Sequence, residues 1–246
     1  MTIRYVGIGG NDANDGLSWA NRKRTLNGVE DTPVQAGDTV YVGAGTYRET
    51  LTCDVSGSSG SPITYIGDYD GSHTDGVGGV VRISGSDDDK TAARTECIYS
   101  NNKSYRNFYN MEISSSSVKG IYFLSTSNSI IDGCVFANSF ATLHNAIAIY
   151  NPLNTTIRNC IFSNIRNRSI DIGNGSLLHN ANTLIENCLF IYSKENTIMS
   201  QYCGGITVNN CTFLYSNVGV ATYYSFTPDT KISVNNSIFN AENIGT

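Results

Sequence analysis

The sequence predicts an all-β fold: a right-handed single-stranded parallel β-helix of about eight or nine coils with a short amino-terminal capping helix. Three observations predict it. A word of eleven residues recurs as "NSIIDGCVFAN" (128–138), "NTTIRNCIFSN" (154–164), "NTLIENCLFIY" (182–192), "GITVNNCTFLY" (205–215) and "KISVNNSIFNA" (231–241). The cysteines in these words lie 26, 28 and 23 residues apart, and Ser237 follows Cys211 after another 26. That period leaves no helical segment within a turn, so each turn consists of short strands. The third observation is that the words align into fixed columns: Ile131, Ile157, Ile185, Val208, Val234; Cys134, Cys160, Cys188, Cys211, Ser237; and Phe136, Phe162, Phe190, Phe213, Phe239.

Taken in chain order, residues 1–37 are expected to form an amino-terminal strand and the capping helix, and residues 38–246 one β-helix continuous with that cap. Within each word, Cys and Phe are two apart and share one face of a strand. Ile and Cys are three apart, so they share a face only if the chain bends between them. The bend falls on Gly133, Asn159, Asn187, Asn210 and Asn236, residue types that accept a left-handed backbone and whose stacked amides can hydrogen-bond. "RNFYNMEISSS" (106–116) fits the same plan with larger side chains. A third strand follows each Phe, in "NAIAIY", "RSIDIG", "NTIMSQ" and "VGVATY". Alternation there turns Ile147, Ile149, Ile170, Ile172, Ile198 and Val220 inward, and Ala148, Asp171, Met199 and Ala221 outward.

Composition narrows the function. Charged residues are 15% of 246 and the net charge is −5, which argues against a phosphate-neutralising nucleic-acid surface. No apolar run is long enough for membrane insertion, and "MTIRYVGIGGNDANDG" has no apolar leader, so cytoplasmic synthesis is expected. Seven cysteines with no C-x-x-C pair read as reduced, buried thiols.

"YVGIGGNDANDGLSWANRKRTLN" (5–27), "AGDTVYVGAGTYRETLT" (36–52) and "SGSSGSPITYIGD" (56–68) resemble the amino-terminal cap and first coils of the pectate-lyase-like superfamily, in branches that include polysaccharide lyases and phage tailspike-type proteins. The resemblance implies a capping helix around Trp19 to Val34. It also implies where a lyase would keep its site: acidic calcium ligands on the outer face of one sheet, beside a Lys or Arg that removes a proton α to a uronate carboxylate.

The outward column supplies one carboxylate, Asp171, with Arg166, Arg168, Lys194 and Glu195 in nearby loops. Asp171, Arg168, Lys194 and Glu195 are the catalytic candidates, against a solvated set of loop charges. Asp87, Asp88 and Asp89 in "GSDDDK" are a solvated turn or a weak Ca2+ site. Asp132, Arg158 and Glu186 form a charge ladder, and "NDANDG" (11–16) reads as Asx turns because Ala13 stands where a calcium loop needs oxygen. His73, His144 and His179 are scattered without ligand spacing. Tyr150, Tyr202, Tyr223 and Tyr224 are candidate platforms for carbohydrate, and Tyr192 and Tyr215, sharing a column, either join them or stack on each other.

The chain reaches residue 246 where Ile244 should open another strand. An open end invites association, so a homo-oligomer or another virion protein is expected there. The leading expectation is a virion surface protein, tailspike-like or capsid-decorating, that contacts glycans. The alternative is a polysaccharide lyase or depolymerase acting on an acidic polysaccharide, and an extracellular location.

Overall fold

The computed structural model describes residues 1–32, 34–137, 145–173, 179–216, 218–223 and 232–240, and the backbone alone of His179, Asn180, Val218 and Tyr223. Three parallel sheets run the length of a solenoid, with nine, eight and seven strands, here sheets A, B and C. Each coil visits A, then B, then C. Coil 1 is Thr39–Val42, Gly45–Tyr47 and Leu51–Cys53; coil 2 is Ile63–Gly67, Val81–Ser84 and Glu96–Asn101; coil 3 is Arg106–Tyr109, Glu112–Ser114 and Lys119–Leu124. Coil 4 is Ile130–Asp132, Val135–Ala137 and Asn145–Tyr150; coil 5 is Thr156–Arg158, Ile161–Ile165 and Ile170–Gly173; coil 6 is His179–Glu186, Leu189–Ser193 and Asn196–Gln201; coil 7 is Cys203–Asn209, Thr212–Leu214 and Val218–Tyr223. Ile232–Asn235 and Ile238–Asn240 begin an eighth. The described residues thus give seven complete coils rather than eight or nine, because coil 2 spends long insertions, 68–80 and 85–95, between its strands.

The corner between sheets A and B is built as the columns predict. Asn110, Gly133, Asn159, Asn187, Asn210 and Asn236 all have φ between +47 and +65°, the left-handed region that Gly and Asn enter most cheaply. The amide ladder, however, lies at the opposite corner, from C to A. There Asn154 Nδ2 donates to Asn128 Oδ1 (3.0 Å) and Asn182 Nδ2 to Asn154 Oδ1 (2.5 Å). In the predicted column Asn159 Nδ2 instead donates to Asp132 Oδ1 (2.8 Å), a carboxylate in easier reach.

Inside, Phe136, Phe162, Phe190 and Phe213 stack, and the half-exposed Phe239 continues the row, with successive ring centres 4.5 to 4.8 Å apart, the spacing that parallel strands impose. All seven cysteines are buried thiols outside any disulfide. Burial pushes the Cys134 thiol up to about 12, so that thiol keeps its proton at neutral pH and is inert.

The capping helix is only Leu26–Asp31, shorter than the span around Trp19 to Val34. It starts at Thr25, whose side chain accepts from Gly28 N (2.9 Å), while the Glu49 carboxylate accepts from Leu26 N (2.9 Å) and Asn27 N (3.1 Å). These contacts fix its start. Trp19 lies outside it, under the Arg22 guanidinium at 4.4 Å. Glu30 of the helix points into the solenoid and pairs with Arg106, and Tyr65 donates its hydroxyl to the same carboxylate.

Candidate functional site

Among the described residues, the outer face of sheet C groups several chemically capable side chains around Asp171. Its register sets three columns. One is Tyr99, Tyr122, Ala148, Asp171, Met199 and Ala221. Beside it run Asn101, Leu124, Tyr150, Gly173 and Gln201, and on the other side Glu96, Lys119 and Asn145. Strands stacked in register place equivalent side chains about 4.8 Å apart, so this face is a regular array.

The amino-terminal part of the array is aromatic. Tyr99 and Tyr122 lie 5.6 Å apart, Tyr122 meets Tyr150 edge-on at 5.4 Å, and Lys119 Nζ sits 4.1 Å from the Tyr122 ring centre. The lower part centres on Asp171. Its Oδ2 accepts from Arg168 Nη1 (3.0 Å), Asn145 Nδ2 (3.1 Å) and Tyr150 OH (3.4 Å), and its Oδ1 from Gln201 Nε2 (3.0 Å). These donors occupy the carboxylate's acceptor sites. Burial, and then the Asp171 charge, push the Tyr150 phenol up to about 12, so at neutral pH it holds its proton.

The outward column differs from expectation in one respect. Ala148, Asp171 and Met199 lie on the outer side of the sheet yet are 0%, 1% and 6% exposed. Larger polar neighbours close over them: Tyr150 bridges from the adjacent column to Asp171, and Arg168 and Gln201 reach it from either side. Among the sequence candidates, Tyr150, Arg168 and Asp171 therefore converge. Lys194 and Glu195 fall in the exposed turn between the second and third strands of coil 6. Tyr202 is half-buried at a left-handed corner, φ +57°. Tyr223 is described in backbone only, and Tyr224, His144 and Ile244 lie outside the described residues. Tyr99, Tyr122, Asn145 and Gln201 were missed, because coils 2 and 3 lack the repeated word and the two amides carry no motif; only sheet register reveals them.

The other candidates are accounted for locally. Asp89 pairs with Arg48 at 2.6 Å, Asp87 with Arg94 at 2.6 Å, and Asp88 accepts from Lys90 N (2.9 Å) and Thr91 N (2.8 Å). The three aspartates thus have separate partners. Among the described residues no three His, Cys, Asp or Glu side chains converge to hold a metal. Arg158 binds Asp132 at 2.7 Å in the charge ladder. Asn11 and Asp15 accept from Ala13 N and Leu17 N, as Asx turns. Tyr192 and Tyr215 stack at 5.0 Å.

Three stacked parallel sheets, turned at left-handed Asn corners, define a right-handed parallel β-helix. The chain belongs to the family described as the right-handed beta helix region, which matches residues 96–245. No curated protein matches it in sequence. Similar solved structures include a rhamnogalacturonan lyase (TM-score 0.59, 16% identity, covering 98% of this chain and 63% of that one) and pectate lyase Pel9A (0.59, 14%, 98% and 78%). A pectin methylesterase from Aspergillus niger is similar at TM-score 0.55 and 15% identity, covering 96% of this chain and 76% of that one. The chain thus spans less than two thirds of the rhamnogalacturonan lyase.

Proposed function

We propose that the chain is a carbohydrate-engaging β-helix whose glycan lies along the outer face of sheet C. The observation that carries this reading is the Tyr99–Tyr122–Tyr150 array, with rings 5.4 to 5.6 Å apart, running into the Asp171 cluster. Aromatic faces pack against the C–H groups of sugar rings, while Arg168, Asn145 and Gln201 present donors and acceptors to hydroxyls. Asp171 acts as a positioning residue: it holds Arg168, Tyr150 and Gln201 in one arrangement. The similar structures named above are carbohydrate-acting proteins on the same scaffold, which supports the class and leaves the particular activity to the site. Titration of the full chain with a panel of oligosaccharides, neutral and acidic, tests the reading. Tyr122→Ala is expected to weaken the best ligand about tenfold, the scale of one lost aromatic contact, with an unchanged thermal midpoint. If no glycan binds, or Tyr122→Ala binds as well as the parent, the reading is wrong.

A lyase or depolymerase acting on an acidic polysaccharide is the second reading, favoured by the Arg168–Asp171–Tyr150 grouping. Release of unsaturated uronate, assayed with and without calcium and compared between the parent and Arg168→Ala, decides it. A virion surface role would use the same face for glycan contact and requires a defined oligomer in light scattering.

A further inference from the structure

A second site lies away from sheet C, at the corner between sheets A and B. In coils 3 to 7 this corner is two residues long, such as Asn110 and Met111, whereas coil 2 inserts residues 68–80. Loops of that length in compact folds usually carry function. This one is built rigidly: Asp68 Oδ2 accepts from His73 N (3.0 Å) and Thr74 Oγ1 (2.7 Å), Gly79 N donates to Tyr69 O (2.8 Å), and the His73 ring stacks on Tyr41 at 4.2 Å. Beneath the overhang is a cleft of about 360 Å³ lined by Tyr69, Val80, Asn110, Glu112, Gly133 and Val135, among others. Gly133 is the sole glycine among the six aligned corner residues whose other members are Asn. A side chain there would displace the Asn110 amide, whose Oδ1 lies closer than van der Waals contact to where its Cβ would stand.

We infer that this cleft binds a single neutral pyranose residue. Its volume lies at the lower end of the ~300–1,000 Å³ range of small-molecule sites. Tyr69, 62% exposed at the rim, offers an aromatic face. Val80 and Val135 form an apolar wall, and Asn110 supplies a planar donor and acceptor. The Glu112 carboxylate is already held by Arg82 at 2.7 and 3.2 Å, so the ligand meets a neutralised pair that can accept hydroxyl hydrogen bonds without selecting for charge. The inference is independent of the reading of sheet C.

Saturation-transfer NMR and titration of the full chain with neutral hexoses, N-acetylhexosamines and uronates test it. Neutral sugars are expected to bind, with saturation transferred from the Tyr69 ring; Tyr69→Ala weakens binding at the cleft about tenfold; and Gly133→Asn, which installs the residue that the rest of the column tolerates, abolishes binding there. Tyr69→Ala alters an exposed side chain and provides the answer even if Gly133→Asn fails to fold. Failure of every neutral sugar to bind, preference for uronates, or full binding by Tyr69→Ala would overturn the inference.

Discussion

In coils 4 to 7 the interior is filled by unbroken rows of Ile or Val, Cys and Phe, whereas beneath the amino-terminal helix it holds an ion pair, with the Arg106 and Glu30 side chains 0% and 1% exposed. The rows cohere because each coil offers the next an identical surface, and stacked rings fit wherever strands pair. The ion pair carries a desolvation cost that the mutual attraction of its charges repays only with the help of further hydrogen bonds: Arg106 Nη1 also donates to Val55 O at 2.9 Å, and Tyr65 shares the carboxylate. Repetition gives cohesion without fixing where the stack begins. A buried pair linking helix to coil 3 can be satisfied in one arrangement only, and so fixes that start.

The largest expected effect is on the ion pair. Glu30→Ala strands a guanidinium in the interior and should cost ~3–5 kcal/mol, read as a lower urea midpoint; adding Arg106→Met should recover much of it. A single-variant loss no larger than that of a surface substitution would erase the contrast. Alkaline titration sharpens it next. Burial raises the Cys134 thiol from 9.0 to about 12, while Cys53, beside Arg106, is raised to about 11. The unfolded chain loses these protons near pH 9 and the folded chain only later. Stability is therefore complete below pH 9 and falls as pH rises toward 11 to 12, at ~1.4 kcal/mol per pH unit for each thiol. Cys134→Ala should flatten that slope by one proton's worth in urea titrations run from pH 8 to 11. The smallest effect is expected within the rows, where Phe162→Leu should cost ~1–2 kcal/mol; a loss as large as that of Glu30→Ala would mean that the stack, too, depends on single members.

Much of this was legible in the sequence because a parallel solenoid writes its geometry as columns. The Phe row, the thiol row and the left-handed corners at Asn159, Asn187 and Asn210 all follow from one alignment. Asp171 was placed on the correct side of sheet C, but its burial was not foreseen: alternation tells which way a side chain points and says nothing of neighbours that fold over it, here Tyr150, Arg168 and Gln201. Tyr99 and Tyr122 escaped because their coils do not share the repeated word, and the Glu30–Arg106 pair because its partners are far apart in sequence and belong to no pattern.

The thiol row also makes the molecule a recorder of its own opening. Cys134, Cys160, Cys188 and Cys211 lie one per coil, each sealed while its coil is stacked. If coils peel from the carboxyl end, Cys211 and Cys203 meet a thiol reagent first and Cys97 and Cys53 last; if the stack opens from the cap, Cys53 and Cys97 lead. The order in which alkylated cysteines appear in a peptide map would therefore report the direction of unzipping, coil by coil, in the unmodified chain.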